Sequence, residues 1–170
     1  LAMRINATAW EPPSSCVTLH GLFDVQAQAH PDSIAVVSGG RRLSYGEVRD
    51  GAHALASILI NTHGVQEGDM VAVFMDKGHE QVIGVLGILY AGACYLPMDP
   101  NLPANRVEYI LKQCDCTVLV VQPWIAERVR QFSGTSVVVL DDALLAQPVL
   151  SFVSPPVSKE DMAYVIFTSG

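Results

Sequence analysis

Apolar residues along the chain follow two rhythms, and the change from one to the other predicts the architecture. From Leu19 onward, Leu19, Leu22, Phe23 and Ala27 recur at the spacing of one helical face, with Thr18 placed to cap the first turn and Pro31 to stop the helix. "SIAVVSGGRRLSY" then offers two short β-prone runs around Gly39-Gly40, a hairpin signal. Ser44 followed by Glu47 makes a capping box, which opens a helix whose Val48, Ala52, Leu55 and Leu59 share a face; Gly64 ends it.

Beyond Gly64 the rhythm changes to continuous apolar runs. "MVAVFM", "ACYLPM", "TVLVV" and "SVVVL" read as strands. Between them lie helices: "HEQVIGVLGILYAG", a stretch with Pro103 at its first position and Val107, Ile110 and Leu111 turned inward, and "WIAERVRQF". Strands that are apolar throughout, rather than alternating, and that are joined by helices point to a parallel sheet covered on both faces. Residues 146–158 form a proline-broken connection to "MAYVIFT", a last apolar run expected to be a buried strand. The fold class is therefore α/β, a layered and mostly parallel sheet flanked by helices, with a small β-hairpin near the start. Residues 1–17 hold Pro12-Pro13 and Ser14-Ser15 without periodicity and read as an interdomain linker.

Composition narrows the class. The 170 residues are half hydrophobic and only 16% charged, which is apolar for a self-contained domain and implies faces that something else covers. Such a chain is expected to expose an apolar edge and to self-associate. Seventeen acidic against ten basic residues give a net charge of −7, with no basic cluster beyond Arg41-Arg42, so neither nucleic acid nor an anionic membrane is an expected partner. "QVIGVLGILYAGACYLPM" is apolar enough to suggest a membrane span, yet its glycines and proline-rich end fit a buried helix followed by a strand. The first fifteen residues lack the apolar core of a signal peptide, which points to the cytoplasm.

Candidate chemistry is sparse. Cys16, Cys94, Cys114 and Cys116 have no C-x-x-C spacing, so reduced thiols are expected and no metal site is assigned. His20, His30, His53, His63 and His79 fall at helix ends or on polar faces, without the partners of a catalytic triad. Asp141-Asp142, adjacent at a strand end, would point apart. Asp99, in the rigid turn fixed by Pro97, Pro100 and Pro103, reads as bonded to its own backbone. Neither the Walker pattern nor the dinucleotide fingerprint is present; Gly84, Gly87 and Gly92 read as packing positions in a helix or at its end. One feature could hold a ligand: after the last apolar run come Thr168, Ser169 and Gly170, small residues whose N–H and hydroxyl groups can approach an anion.

Four stretches, taken in order, carry a family likeness: "TLHGLFDVQAQAHPDSIAVV", "RRLSYGEV", "ILYAGACYLPMDP" and "DMAYVIFTSG". They resemble the N-terminal part of a nonribosomal peptide synthetase adenylation domain, within the adenylate-forming, AMP-binding superfamily, over roughly residues 18–170. Residues 1–17 resemble the linker from an upstream condensation or heterocyclisation domain. The resemblance implies that an amino acid carboxylate attacks the α-phosphate of ATP with Mg2+. The acyl group would then pass to phosphopantetheine on a carrier protein domain. It further implies that Thr168, Ser169 and Gly170 open the loop that embraces the β,γ-phosphates, and that the remaining nucleotide, metal, specificity and catalytic groups belong to the rest of the adenylation domain. No catalytic residue is therefore assigned within the chain, and the chain alone is expected to be inactive. Where relatives commonly have Arg-Ser before the core helix, this sequence has Lys77-Gly78, a change in a turn. The alternatives are a fragment of an acyl- or aryl-CoA ligase and a non-catalytic half-domain serving as a scaffold.

Overall fold

A computed structural model of the chain describes residues 18–147 and 152–168. The proposed linker 1–17, Cys16, Ser169 and Gly170 lie outside the described residues. Helix α1 (Leu19–Ala29) starts where Thr18 Oγ1 accepts the Gly21 N–H at 3.2 Å. Strands β1 (Ile34–Ser38) and β2 (Arg41–Ser44) pair antiparallel around Gly39 and Gly40. Their φ values of 57° and 81° are those of a type I′ turn, whose twist matches a hairpin. The capping box forms as expected: the Glu47 N–H donates to Ser44 Oγ and the Ser44 N–H donates to Glu47 Oε2 at 2.7 Å. It starts α2 (Tyr45–Asn61).

The central sheet comprises β3 (Met70–Phe74), β4 (Cys94–Met98), β5 (Val118–Val121) and β6 (Ser136–Val139), in spatial order β4-β3-β5-β6 and parallel throughout. Helix α3 (His79–Tyr90) joins β3 to β4, and α4 (Ala104–Gln113) carries the chain back across β3 to β5. A 3-10 turn (Pro123–Ile125) and the four-residue α5 (Ala126–Val129) lead to β6, and α6 (Asp142–Leu145) follows it. The sheet is covered on both faces. Val71, Val73, Val118, Val120 and Val138 face a core built with α2 and α3, while Ala72, Phe74, Leu96, Leu119 and Val121 face a second core with Val107, Ile110, Leu111 and Val129. An unbroken apolar strand is thus shared between two cores, as its composition requires.

Helices α2 and α3 pack closely because Gly87 leaves room: a Cβ there would stand 2.7 Å from Leu55 Cδ2. All four residues of the predicted α2 face, Val48, Ala52, Leu55 and Leu59, are fully buried. No helix among the described residues is long and apolar enough to cross a membrane; the apolar stretch is a twelve-residue helix followed by β4.

Several expectations are corrected. Leu19 is 53% exposed and His20 beside it is buried in its place, while Phe23 and Ala27 of the predicted face do turn inward. Pro103 is the cap of α4 rather than its first residue, since its ψ of 143° is extended. "WIAERVRQF" is not one helix: Ile125, Val129 and Phe132 are buried, Ala126 packs beside them, and the chain must enter β6 a few residues later. Asp141 and Asp142 belong to a helix start. The Asp141 carboxylate accepts the Leu144 N–H, and Asp142 pairs with Arg41 at 2.6 Å. His79 and His20 are buried, and His53 is half-buried against Tyr90 and Phe152 rather than on a polar face. Finally, "MAYVIFT" is no buried strand. It runs parallel beside β4 through one bridge, Tyr95 to Tyr164, with the Tyr95 N–H donating to Ala163 O and the Val165 N–H to Tyr95 O. Val165 and Phe167 lean on the second core, while Met162, Tyr164 and Ile166 are 54%, 48% and 58% exposed.

Candidate functional site

Open parallel sheets bind ligands outside the carboxyl ends of their strands, where the connections diverge. Here that edge gathers Met75-Asp76-Lys77 after β3, Asp99-Pro100-Asn101 after β4, Gln122-Pro123-Trp124 after β5 and Leu140-Asp141 after β6. The direction of chain travel reverses between β3 and β5. That gap is closed by side chains. Gln122 is 1% exposed; its Oε1 accepts the Asp76 N–H at 2.9 Å and its Nε2 donates to Glu80 Oε2 at 3.3 Å. Trp124 Nε1 donates to Asp76 Oδ2 at 3.2 Å. A glutamine directly after an all-apolar strand and before Pro123 is the signal by which this plug could have been found in the sequence, and sequence reasoning missed it.

Glu80 lies in the first turn of α3, 3.3 Å from His79 Nδ1. Its carboxylate curls back over Gly78, where a Cβ would meet Glu80 Oε2 at 2.5 Å. The positive end of α3 is thereby supplied with its own anion. The crevice lined by Arg41, His79, Glu80, Trp124 and Asp142, about 460 Å³, is correspondingly unsuited to a phosphate.

Toward β4 the edge is open. A cleft of about 370 Å³ lies between Met75, Asp76, Lys77, Gln81 and the turn Pro97–Asn101. Asp99 shapes its wall through its own turn, as read from the sequence: Oδ1 accepts the Asn101 N–H at 2.8 Å and Asn101 Nδ2 at 3.0 Å. A similar hollow of about 380 Å³, bounded by Lys112, Thr117 and Gly134, sits at the opposite edge, before β5 and β6 begin. It is on the wrong side of the sheet for the usual ligand crevice.

Thr168 stands at the open carboxyl edge. Segment 162–168 runs parallel to β4 from the Tyr95–Tyr164 bridge, so its end emerges on the same side as Asp99, and Thr168 is exposed there. Ser169 and Gly170, which follow it, are outside the described residues. Among the described residues no group of three His, Cys, Asp or Glu side chains could hold a metal ion. Burial pushes the Cys116 thiol up to about 11, and Cys94 and Cys114 also move upward, chiefly through desolvation. Such thiols are poor nucleophiles near neutrality.

The family model for the AMP-binding enzyme matches residues 23–170. The chain belongs to the AMP-binding enzyme family. It is 39% identical over 169 residues to tyrocidine synthase 1 of Brevibacillus parabrevis, covering 98% of this chain and 15% of that protein. It is 37% identical to phosphinothricin tripeptide synthetase PhsC of Streptomyces viridochromogenes, covering 98% of this chain and 16% of that one. The structure superposes on the nonribosomal peptide synthetase FmoA3, in its AMPPNP-bound form, with a TM-score of 0.84 and 36% identity over 98% of this chain and 18% of that chain. The chain is a piece of a nonribosomal peptide synthetase adenylation domain and spans less than a fifth of the length of these relatives. In the terms of that family, "ILYAGACYLPMDP" builds the end of α3, the whole of β4 and the Asp99 turn, and "DMAYVIFT" builds the segment docked on β4.

Proposed function

We propose that the chain supplies the first wall and the opening of the phosphate loop of an enzyme that activates an amino acid with ATP. The substrate carboxylate oxygen forms a bond to the α-phosphorus, the bond from that phosphorus to the bridging oxygen breaks, and pyrophosphate leaves with the electron pair. A phosphopantetheine thiol of a carrier domain then takes the acyl group and releases AMP. Thr168, Ser169 and Gly170 are the proposed phosphate contacts. Small residues after a parallel strand end offer N–H and hydroxyl donors to the β,γ-oxygens. Mg2+ enters with the nucleotide, whose phosphates supply oxygen ligands of the kind it prefers.

The observation that carries this reading is the position of Thr168, exposed at the carboxyl edge four residues after Tyr164, which bridges in parallel to Tyr95 of β4, in a chain similar to synthetases throughout its length. Residues 1–17 are assigned to the linker from a condensation or heterocyclisation domain and residues 18–170 to the N-terminal part of the adenylation domain. The whole protein is assigned to the cytoplasm. The test is ATP–pyrophosphate exchange with a panel of amino acids. The complete adenylation domain from the native reading frame is expected to turn over at least one of them, and the 170-residue chain none. Exchange by the 170-residue chain alone would show that the missing catalytic groups were wrongly placed outside it.

A further inference from the structure

The first turn of α4 carries a cation where the helix dipole disfavours one. Arg106 is the third residue of the helix, and its main-chain N–H donates to Pro103 O at 2.9 Å. The partial positive charge at a helix start favours anions there. Yet no carboxylate among the described residues lies within ion-pair distance of this guanidinium. Aromatic rings hold it instead: its central carbon is 5.3 Å from the Tyr109 ring centroid and 5.9 Å from that of Phe167. Tyr109 belongs to the same helix. Phe167 belongs to the terminal segment, one residue before Thr168.

That second contact matters because little else fixes the end of the segment. Its two main-chain bonds to β4 are both made by Tyr95, to Ala163 and Val165. From Ile166 to Thr168 no main-chain hydrogen bond is formed to the described residues. The place of Thr168 is therefore set by how Phe167 seats between the second core and Arg106. A planar guanidinium stacks on a ring face, and an ammonium does not reproduce that contact.

We propose that Arg106 is a positioning residue for the phosphate-gripping turn: stacked between Tyr109 and Phe167, it ties the start of α4 to the strand end from which Thr168, Ser169 and Gly170 issue. The inference rests on the reading of that turn given above. In the complete adenylation domain, Arg106→Ala is expected to raise KM for ATP about tenfold and to leave KM for the amino acid unchanged. Arg106→Lys keeps the charge without the planar stack and is expected to recover less than half of the loss. Phe167→Leu should mimic Arg106→Ala, and the double variant should be no worse than the worse single one, because both remove the same contact.

Hydrogen exchange on the 170-residue chain adds a readout without turnover. Arg106→Ala should speed exchange of the Val165 amide, which is bonded to Tyr95 O, about tenfold and leave those of β3 alone. Full rescue by lysine, additive single variants, or equal changes in both KM values would overturn the proposal, as would unchanged exchange at the Val165 amide. Titration of the wild-type complete domain with a non-hydrolysable ATP analogue separates the two ideas. No binding would remove the phosphate reading and this inference together, whereas equal affinity of wild type and Arg106→Ala would remove the inference alone.

Discussion

Strand β3 and segment 162–168 are written in nearly the same alphabet, "MVAVF" against "MAYVIFT", yet the fold treats them oppositely. Val71, Ala72, Val73 and Phe74 are wholly buried because β3 has β4 on one side, β5 on the other and a core on each face. The terminal segment has β4 on one side through a single bridge and a core on one face, so every second residue looks outward. An apolar run reports what a segment can bury. Whether it is buried depends on how many neighbours are there to cover it. Met162, Tyr164 and Ile166 therefore leave an apolar face open to solvent among the described residues.

The largest predicted effect follows from this contrast. Val73→Asp places an unpaired carboxylate between two buried strands and should cost more than about 4 kcal/mol, enough to abolish cooperative unfolding. Ile166→Asp, in a similar sequence context but facing outward, should change stability by no more than about 0.5 kcal/mol and should reduce self-association. Denaturant melts and sedimentation of the two variants measure the comparison directly. Equal loss of stability in both would mean that segment 162–168 is buried after all.

A second test removes the cover from β3 rather than altering β3 itself. Gly87→Val puts a branched side chain where even a Cβ would press on Leu55 at 2.7–2.9 Å, so α3 must lift from α2. Overpacking of this kind costs typically ~1–3 kcal/mol, and the top of that range is expected here because the obstructing atoms include Leu55 Cβ, which a rotamer change cannot move. If α3 lifts, the face of β3 toward α2 and α3 becomes as dye-accessible as Ile166. A neutral Gly87→Val variant would show that the helices are not tightly apposed.

What could be read from the sequence divides along the same line. The two caps, the two-glycine hairpin, the α2 face and the four sheet strands were legible because each is decided by residues within a few positions: Ser44 with Glu47, Gly39 with Gly40, four apolar residues in a row. The misses involve partners distant in sequence. His20 turns inward because Tyr90 lies 5.2 Å away on another helix. Gln122 is buried because Asp76 and Glu80 meet it across the sheet edge. Arg106 reads as an ordinary helix cation until Phe167, sixty-one positions on, arrives over its guanidinium. At the proposed phosphate turn, Thr168, Ser169 and Gly170 are candidates from the sequence, and the fold adds where the first of them emerges.

The route into the terminal segment gives a third, pH-dependent comparison. Phe152 packs on His53 at 4.9 Å, His53 on Tyr90 at 4.5 Å, and Ser154 Oγ donates to Tyr90 O at 2.7 Å, so the connection to residues 162–168 is pinned by a histidine-containing cluster. Burial lowers the pKa of His20 and of His53 from the ordinary 6.5; Asp24 acts against the shift at both, Arg49 adds to it at His53, and Asp50 opposes it there. Because the folded state disfavours the proton, the unfolded chain binds more of it below about pH 6.5. Stability is therefore full above that pH and declines as the pH falls through and below it. Melting in steps from pH 7.5 to 5 should show the decline, and His20→Phe with His53→Phe should flatten it. A slope that survives both replacements would assign it to other groups.

The smallest effect is expected at the surface. Arg41 and Asp142 stand 2.6 Å apart and join the hairpin to α6, but both side chains are largely in solvent. Hydrogen bonding and charge from Arg41 lower the Asp142 pKa from its ordinary 3.8. Any contribution is therefore present at neutrality and lost as the pH falls through the carboxylate range. Solvent screening and the cost of ordering two long side chains leave such a pair with little net effect. A double-mutant cycle with Arg41→Ala and Asp142→Ala should give a coupling within the error of the melt at physiological salt. A coupling that is large and persists in high salt would mean that the hairpin depends on α6 for its place, and that the surface, like segment 162–168, is held by more than its own two contacts.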